Sequence, residues 1–275
     1  MKDRGIVYVA TQHPRFVCEA ITSAESTRRF LPRVHITLFT DLADALQLPG
    51  YLFDDVVAIG TPPGEVGRTL ARGHLTKVQT FARWPRERGL FLDTDTRVLS
   101  AEVLRAFDLL DTCSFAAVEC TPRTSRSCAL YGPMYNTGVI AFRQDDSTRR
   151  LFAEWENLYE IHRKLAASSP PGATDYVSVR DEEARRYLLE TDQLALAQLL
   201  SPDRNVFQVP VRALDASWNW RDVRAQPPAG VKIHHSPRYK VHPSDVGVFL
   251  DSYGLSGWKL APAGVIPAPA QRDQV

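Results

Sequence analysis

The sequence predicts an α/β protein with a mostly parallel central sheet flanked by helices. Short apolar, β-rich runs recur along the chain, helical stretches with one apolar face separate them, and the polar motifs fall just after the strands. Open parallel sheets bind ligands at those strand ends, where the strand order reverses. The 275 residues suit one domain, read as 1–260, followed by a loose Pro/Ala-rich tail at 261–275.

Gly5 to Ala10 (GIVYVA) is the first strand, apolar enough to be buried on both faces. A helix follows between Pro14 and Phe30 and is stopped by Pro32. Val34–Phe39 and Asp55–Ile59 are the next strands, and Thr69–Trp84 is a helix that Pro85 closes. Gly89–Leu92 is a fourth strand running directly into Asp93, and Ala101–Phe107 is a helix that Asp95 or Ser100 can cap. Phe115–Val118 and Thr137–Phe142 are strands. Leu151, Phe152, Trp155, Leu158, Tyr159 and His162 then repeat at the spacing of one helix face. After the loop Ser168–Thr174 come helices at Asp181–Leu189 and Thr191–Leu200, the second capped by Thr191, and short strands at Val206–Val209 and Val231–Ile233.

Composition excludes several classes. Lys+Arg number 33 and Asp+Glu 32, so no basic field points to nucleic acid, and any anionic ligand must be held by local groups. Cys18, Cys113, Cys120 and Cys128 form no CxxC pair and are read as reduced, structural thiols. No apolar run approaches the ~20 residues that span a bilayer, and no secretory leader pattern is seen at the N-terminus. A soluble cytoplasmic protein without a transmembrane segment is expected.

Asp93 and Asp95 follow the apolar strand, and strand alternation sends both side chains the same way. Two converging carboxylates repel unless a cation lies between them, and oxygen ligands suit Mg²⁺ or Mn²⁺. Such a metal can bridge nucleotide phosphates and stabilise a departing diphosphate. Phosphatases of the haloacid-dehalogenase type carry a related DxDxT or DxDxV motif. Here Arg97 holds the fifth position and three strands precede the motif, where that family uses its first.

With these motifs in order, the chain resembles the nucleotide-diphospho-sugar transferases of the GT-A fold, closest to retaining members of the glycogenin and lipopolysaccharide galactosyltransferase group. The resemblance spans Gly5 to Lys240 and makes 1–260 a single GT-A-like, Rossmann-type domain. In LFLDTDTRVL it implies Asp93 and Asp95 as metal ligands and Thr94 near the ribose. In VYVAT it implies Ala10 and Thr11 beside the base. Lys77, or its competitors Arg72 and Arg83, would reach the diphosphate or the sugar. In the NTG segment, Asn136, Thr137 and Gly138 would meet the donor, Asn136 through sugar hydroxyls. Asp192 would accept from sugar hydroxyls and Gln193 would lie beside the reacting carbon, the pair being catalytic. In the late H-x5-K segment His234, with His235 as its alternative on the opposite strand face, would complete the metal site, and Lys240 would meet the diphosphate. Pro237, Val241 and His242 depart from the family pattern there. Trp218-Asn219-Trp220 resembles a W-N element whose rings can serve as sugar platforms.

The resemblance implies transfer of a sugar from a nucleoside-diphosphate donor, UDP first among them, to an acceptor hydroxyl, with retention. An imidazole beside two carboxylates leans the metal toward Mn²⁺ over Mg²⁺. The rival expectations are a metal-dependent phosphohydrolase using the same carboxylates and a non-catalytic module that binds nucleotide-sugar.

Overall fold

The computed structural model describes residues 3–42, 48, 50–60, 70–120, 126–168, 182–201, 205–221 and 225–255. The tail at 261–275 and all of the expected loop beyond Ser168 lie outside them. So do Thr69, Asp181 and the side chain of Arg72.

The strands are β1 (Arg4–Ala10), β2 (His35–Thr40), β3 (Asp55–Ala58), β4 (Arg88–Leu92), β5 (Thr96–Val98), β6 (Phe115–Cys120), β7 (Met134–Arg143), β8 (Val211–Leu214) and β9 (Ile233–His235). The helices are α1 (Pro14–Phe30), α2 (Leu70–Ala82), α3 (Arg105–Leu109), α4 (Arg126–Tyr131), α5 (Asp146–Ser168), α6 (Glu182–Leu189), α7 (Asp192–Leu200) and α8 (Val246–Ser252). One sheet of seven strands runs β3-β2-β1-β4-β7-β6-β8, and β5 pairs with β9 in a second. Only β7 runs against its neighbours in the large sheet. The mostly parallel, helix-flanked architecture is therefore the expected one.

Alternation along the strands divides the core between the two faces. Ile6, Tyr8, Leu90 and Leu92 pack with α1 residues such as Val17 and Ile21, whereas Val7 and Phe91 pack with Phe81, Phe152 and Trp155 of α2 and α5. Phe81 stacks on Trp155 with centroids 5.5 Å apart and meets Phe91 and Phe142 edge-on. Such aromatic pairs add roughly 0.5–1.5 kcal/mol each beyond the area they bury. Gly89 is required here, because a Cβ at that position would lie 2.2 Å from the Phe142 ring.

Several local expectations are corrected. The strand expected at Val206–Val209 forms instead at β8, where Val211 pairs with Phe115 of β6, and Val206 is 73% exposed. The helix expected at Ala101–Phe107 is a 3-10 turn at Ala101–Leu104 followed by α3. Its cap is Ser100, whose hydroxyl accepts from Glu102 N, so Asp95 is left for other work. Thr191 does occupy the cap position of α7, but its hydroxyl turns back to Leu188 O and makes no capping bond. All four cysteines are buried and outside any disulfide, and burial pushes the Cys18 thiol up to about 12.

Candidate functional site

The strand order reverses between β1 and β4, which are neighbours while β2 and β4 leave in opposite directions. The carboxyl ends of these two strands open into a cavity of about 610 Å³, the place where open α/β sheets bind ligands. Asp93 continues β4, its N–H held by Gly138 O at 2.8 Å. The chain then turns into β5, fixed by the Thr96 hydroxyl donating to Asp93 O at 2.7 Å.

The β5–β9 pairing brings the late part of the chain to this turn, with Thr96 opposite His235 and Arg97 opposite His234. His235 Nε2 lies 3.1 Å from Asp95 Oδ1 and 3.8 Å from Asp93 Oδ2. One ligand atom from each of Asp93, Asp95 and His235 lies within 4.8 Å of the others. The expectation that His234 completes this group is corrected. Its ring meets the Tyr239 hydroxyl at 2.6 Å through Nδ1, beside Arg97, whose guanidinium stacks on the Tyr239 ring. Adjacent strand residues face opposite sides, and the register gives His235 the inner one.

The donor set fits a divalent cation: two carboxylates and an imidazole converge on one point. Gly138 also shapes the cradle, since a Cβ there would lie 2.5 Å from His235 Cε1 and 2.7 Å from Asp93 Oδ2. Burial resists ionisation of Asp95, yet His235 and Lys240 bring its carboxyl down to about 2. Lys240 Nζ stands 3.7 Å from Asp95 Oδ2 and is half exposed at the rim.

A second charged group lies deeper. Lys77 of α2 is 5% exposed, with Nζ 2.6 Å from Asp192 Oδ2 and 3.6 Å from Asp93 Oδ1. It also donates to Thr137 O and Oγ1, each at 3.2 Å. Thr137 Oγ1 donates in turn to Asp192 Oδ1 at 2.9 Å. Burial opposes both charges, but Asp192 and Asp93 together hold Lys77 above the ordinary lysine range, and Lys77 holds Asp192 below the ordinary carboxylate range. Gln193 lines the cavity one residue on, at 3.6 Å from the Cys120 thiol.

Other expected residues take different positions. Thr11 lines the cavity, but Ala10 points into the core on the α1 side, because alternation turns Val9 and not Ala10 toward the opening. Thr94 lines the cavity while its hydroxyl is committed to Glu19 Oε2 at 2.9 Å. Asn136 lines it too, though its Oδ1 accepts from Gly138 N and from Asn219 Nδ2. Trp218 packs in the core under Lys232, and neither it nor Trp220 is among the residues lining the cavity.

Sequence reasoning missed Glu19. It is 1% exposed on α1, and its carboxylate receives both Thr94 Oγ1 and Val241 N, so it ties the DTD turn to the late segment. Burial, with Asp95 nearby, raises its pKa. A lone carboxylate inside an apolar helix face is the only signal that could have marked it.

Fold and site together define an α/β protein with a carboxylate–imidazole cluster at a topological switch point. No family model and no curated protein matches the chain. Among solved structures it is similar to the galactosyltransferase LgtC in complex with donor and acceptor sugar analogs, at 13% identity over 93% of this chain and 98% of that chain, TM-score 0.48. It is also similar to the glycosyltransferase GlyE of Streptococcus pneumoniae TIGR4, at 14% identity over 94% of this chain and 66% of that chain, TM-score 0.48. Mouse xyloside xylosyltransferase 1 is similar at 14% identity over 88% of this chain and 100% of that chain, TM-score 0.49. No described helix is long and apolar enough to cross a membrane.

Proposed function

We propose that the chain is a metal-dependent glycosyltransferase that moves a sugar from a nucleoside-diphosphate donor, UDP-sugar first among them, to an acceptor hydroxyl with retention of configuration. The observation that carries this reading is the convergence of Asp93, Asp95 and His235 at the mouth of the cavity between β1 and β4. These three residues would hold Mn²⁺ in preference to Mg²⁺, since one donor is an imidazole nitrogen. The bound cation supplies Lewis-acid stabilisation of the leaving diphosphate.

The chain's own residues divide the remaining tasks. Lys240, flexible and half exposed at the rim, meets diphosphate charge as it develops. Asp192 is kept ionised by Lys77 and accepts from sugar hydroxyls. Gln193, a neutral amide at the cavity wall, lies beside the reacting carbon. Asn136 has its oxygen occupied and offers only its NH₂ to the donor. Thr11, Thr137 and Gly138 complete the donor wall. Retention follows from the likeness of the D-Q and H-x5-K segments to those of retaining enzymes.

Release of UDP from a panel of UDP-sugars, with and without Mn²⁺, tests the reading alongside Asp95→Ala. Mn²⁺-dependent release that this substitution abolishes is expected. Metal-independent release that survives it would sink the mechanism. Hydrolysis of simple phosphomonoesters would favour a phosphohydrolase, and UDP binding without turnover a non-catalytic module.

A further inference from the structure

Behind the carboxylates, a backbone N–H, two side-chain amides and an imidazole are wired in series. Gly138 N donates to Asn136 Oδ1 at 2.9 Å. A backbone N–H can only donate, so Asn136 must turn its oxygen that way. Asn219 approaches the same oxygen at 2.6 Å, and only its NH₂ can meet it. The other end of the Asn219 amide is then its carbonyl oxygen, which lies 3.0 Å from His235 Nδ1. That oxygen has no proton to give, so Nδ1 carries the proton. The neutral ring thus keeps its lone pair on Nε2, the atom 3.1 Å from Asp95 Oδ1 and 3.8 Å from Asp93 Oδ2.

This direction is not the one the carboxylates would choose. Asp95 is an acceptor and by itself draws a proton onto Nε2, which would leave that nitrogen no lone pair for a metal. The relay works in the opposite sense, and its parts are shielded from competing water: Asn136, Asn219 and His235 are 3%, 4% and 6% exposed. Two backbone bonds hold the next residue, Trp220, against β9, from Trp220 N to Ile233 O and from His235 N to Trp220 O, each at 2.9 Å, and so keep Asn219 beside the strand.

We infer that Asn219 is a positioning residue: with Asn136 it transmits the donor sense of the Gly138 N–H to His235 and fixes the ring with its proton on Nδ1, so that Nε2 is free to ligate a divalent cation. The consequence for metal affinity rests on the metal reading above, whereas the tautomer itself does not.

Two-bond ¹H–¹⁵N correlation of the metal-free ¹⁵N-labelled protein, on the alkaline side of the imidazole titration, reads the tautomer directly. The His235 signals are assigned by their loss in His235→Gln. The wild type is expected to show a protonated Nδ1 and an unprotonated Nε2. Asn136→Asp keeps an acceptor for both Gly138 N and Asn219 Nδ2 and is expected to keep this signature. Asn136→Leu leaves Asn219 and His235 in place but frees the Asn219 amide to turn over, and Asn219→Ala removes the acceptor. Both are expected to shift the proton toward Nε2 and to weaken Mn²⁺ binding roughly 10- to 100-fold, the usual cost of losing a group that orients a ligand. A wild-type ring protonated on Nε2 overturns the inference, as does an Asn219→Ala protein that keeps both the Nδ1 proton and wild-type Mn²⁺ affinity. Should Asn219→Ala fail to fold, the wild-type and Asn136→Asp spectra still decide. A wild type with the expected tautomer but no Mn²⁺ binding would sink the metal reading and leave the relay supported.

Discussion

Lys77 and Asp192 form a buried ion pair at 2.6 Å, and the same ammonium reaches Asp93 at 3.6 Å. One lysine therefore balances a carboxylate of the cavity wall and a carboxylate of the Asp93–Asp95–His235 cluster at once. Removing it leaves Asp192 charged and without a cation in a pocket where Asp192 is 1% exposed. Lys77→Met is expected to cost about 3–5 kcal/mol, the range for breaking one side of a buried pair. Adding Asp192→Asn should recover part of that loss, because an amide can still accept from Thr137 Oγ1. Urea denaturation of the single and double variants measures both.

Gly138→Ala tests the cradle. The added Cβ would meet His235 Cε1 at 2.5 Å and Asp93 Oδ2 at 2.7 Å, so imidazole and carboxylate must move apart. The fold should survive with a loss of about 1–3 kcal/mol, typical of overpacking. Mn²⁺ affinity should fall by a larger factor than for an alanine introduced at Gly247, where a Cβ meets nothing within 4 Å. Thermal melts and metal titration check the two halves. Equal Mn²⁺ affinity in both variants would count against Gly138 shaping the site.

His162 gives a pH dependence far from the site. It is fully buried on α5, and burial pushes its pKa from 6.5 down to about 4. Between those values the unfolded chain binds a proton that the folded chain does not. Its effect on stability is therefore absent above pH 6.5 and grows as pH falls toward 4, reaching on the order of 2–3 kcal/mol. In His162→Leu that slope should flatten. Denaturation midpoints at pH 7, 5.5 and 4.5 compare the two proteins, and parallel curves would refute the assignment.

Asp145 precedes α5 and accepts from Ser147 N and Thr148 N at 3.1 Å each, as well as from Arg143 and the Ser114 and Ser147 hydroxyls. Burial opposes its charge, yet these donors hold it well below the usual carboxylate range. Asp145→Ala should cost about 1–2 kcal/mol at neutral pH, as for loss of a helix cap. A depressed folded pKa means that the electrostatic part of this contribution is complete above the unfolded value and disappears on acidification. The gap between wild type and variant should therefore narrow at pH 3.

Much of this architecture is legible in the sequence because it rests on local pattern. The apolar run before Asp93 announces β4, and the spacing of Leu151, Phe152, Trp155 and Tyr159 announces α5. The order of the DTD, NTG and DQ segments points to one cleft. Features set by long-range pairing are not legible. The choice of His235 over His234 depends on the register of three-residue strands against β5. Glu19 acquires its partners from residues 75 and 222 positions away. Trp218-Asn219-Trp220 drew notice for its rings, whereas the structure ties its asparagine to His235, a contact that no periodicity encodes.

The pairing of β5 with β9 also separates frame from function in the order of synthesis. The last strand of the seven-stranded sheet ends at Leu214, yet the imidazole of the cluster arrives only with His235 and the Glu19 tether only with Val241. A ribosome thus delivers every strand of that sheet before it delivers the third member of the cluster. A product cut short between those points would hold every strand of that sheet and lack the imidazole of the Asp93–Asp95–His235 cluster.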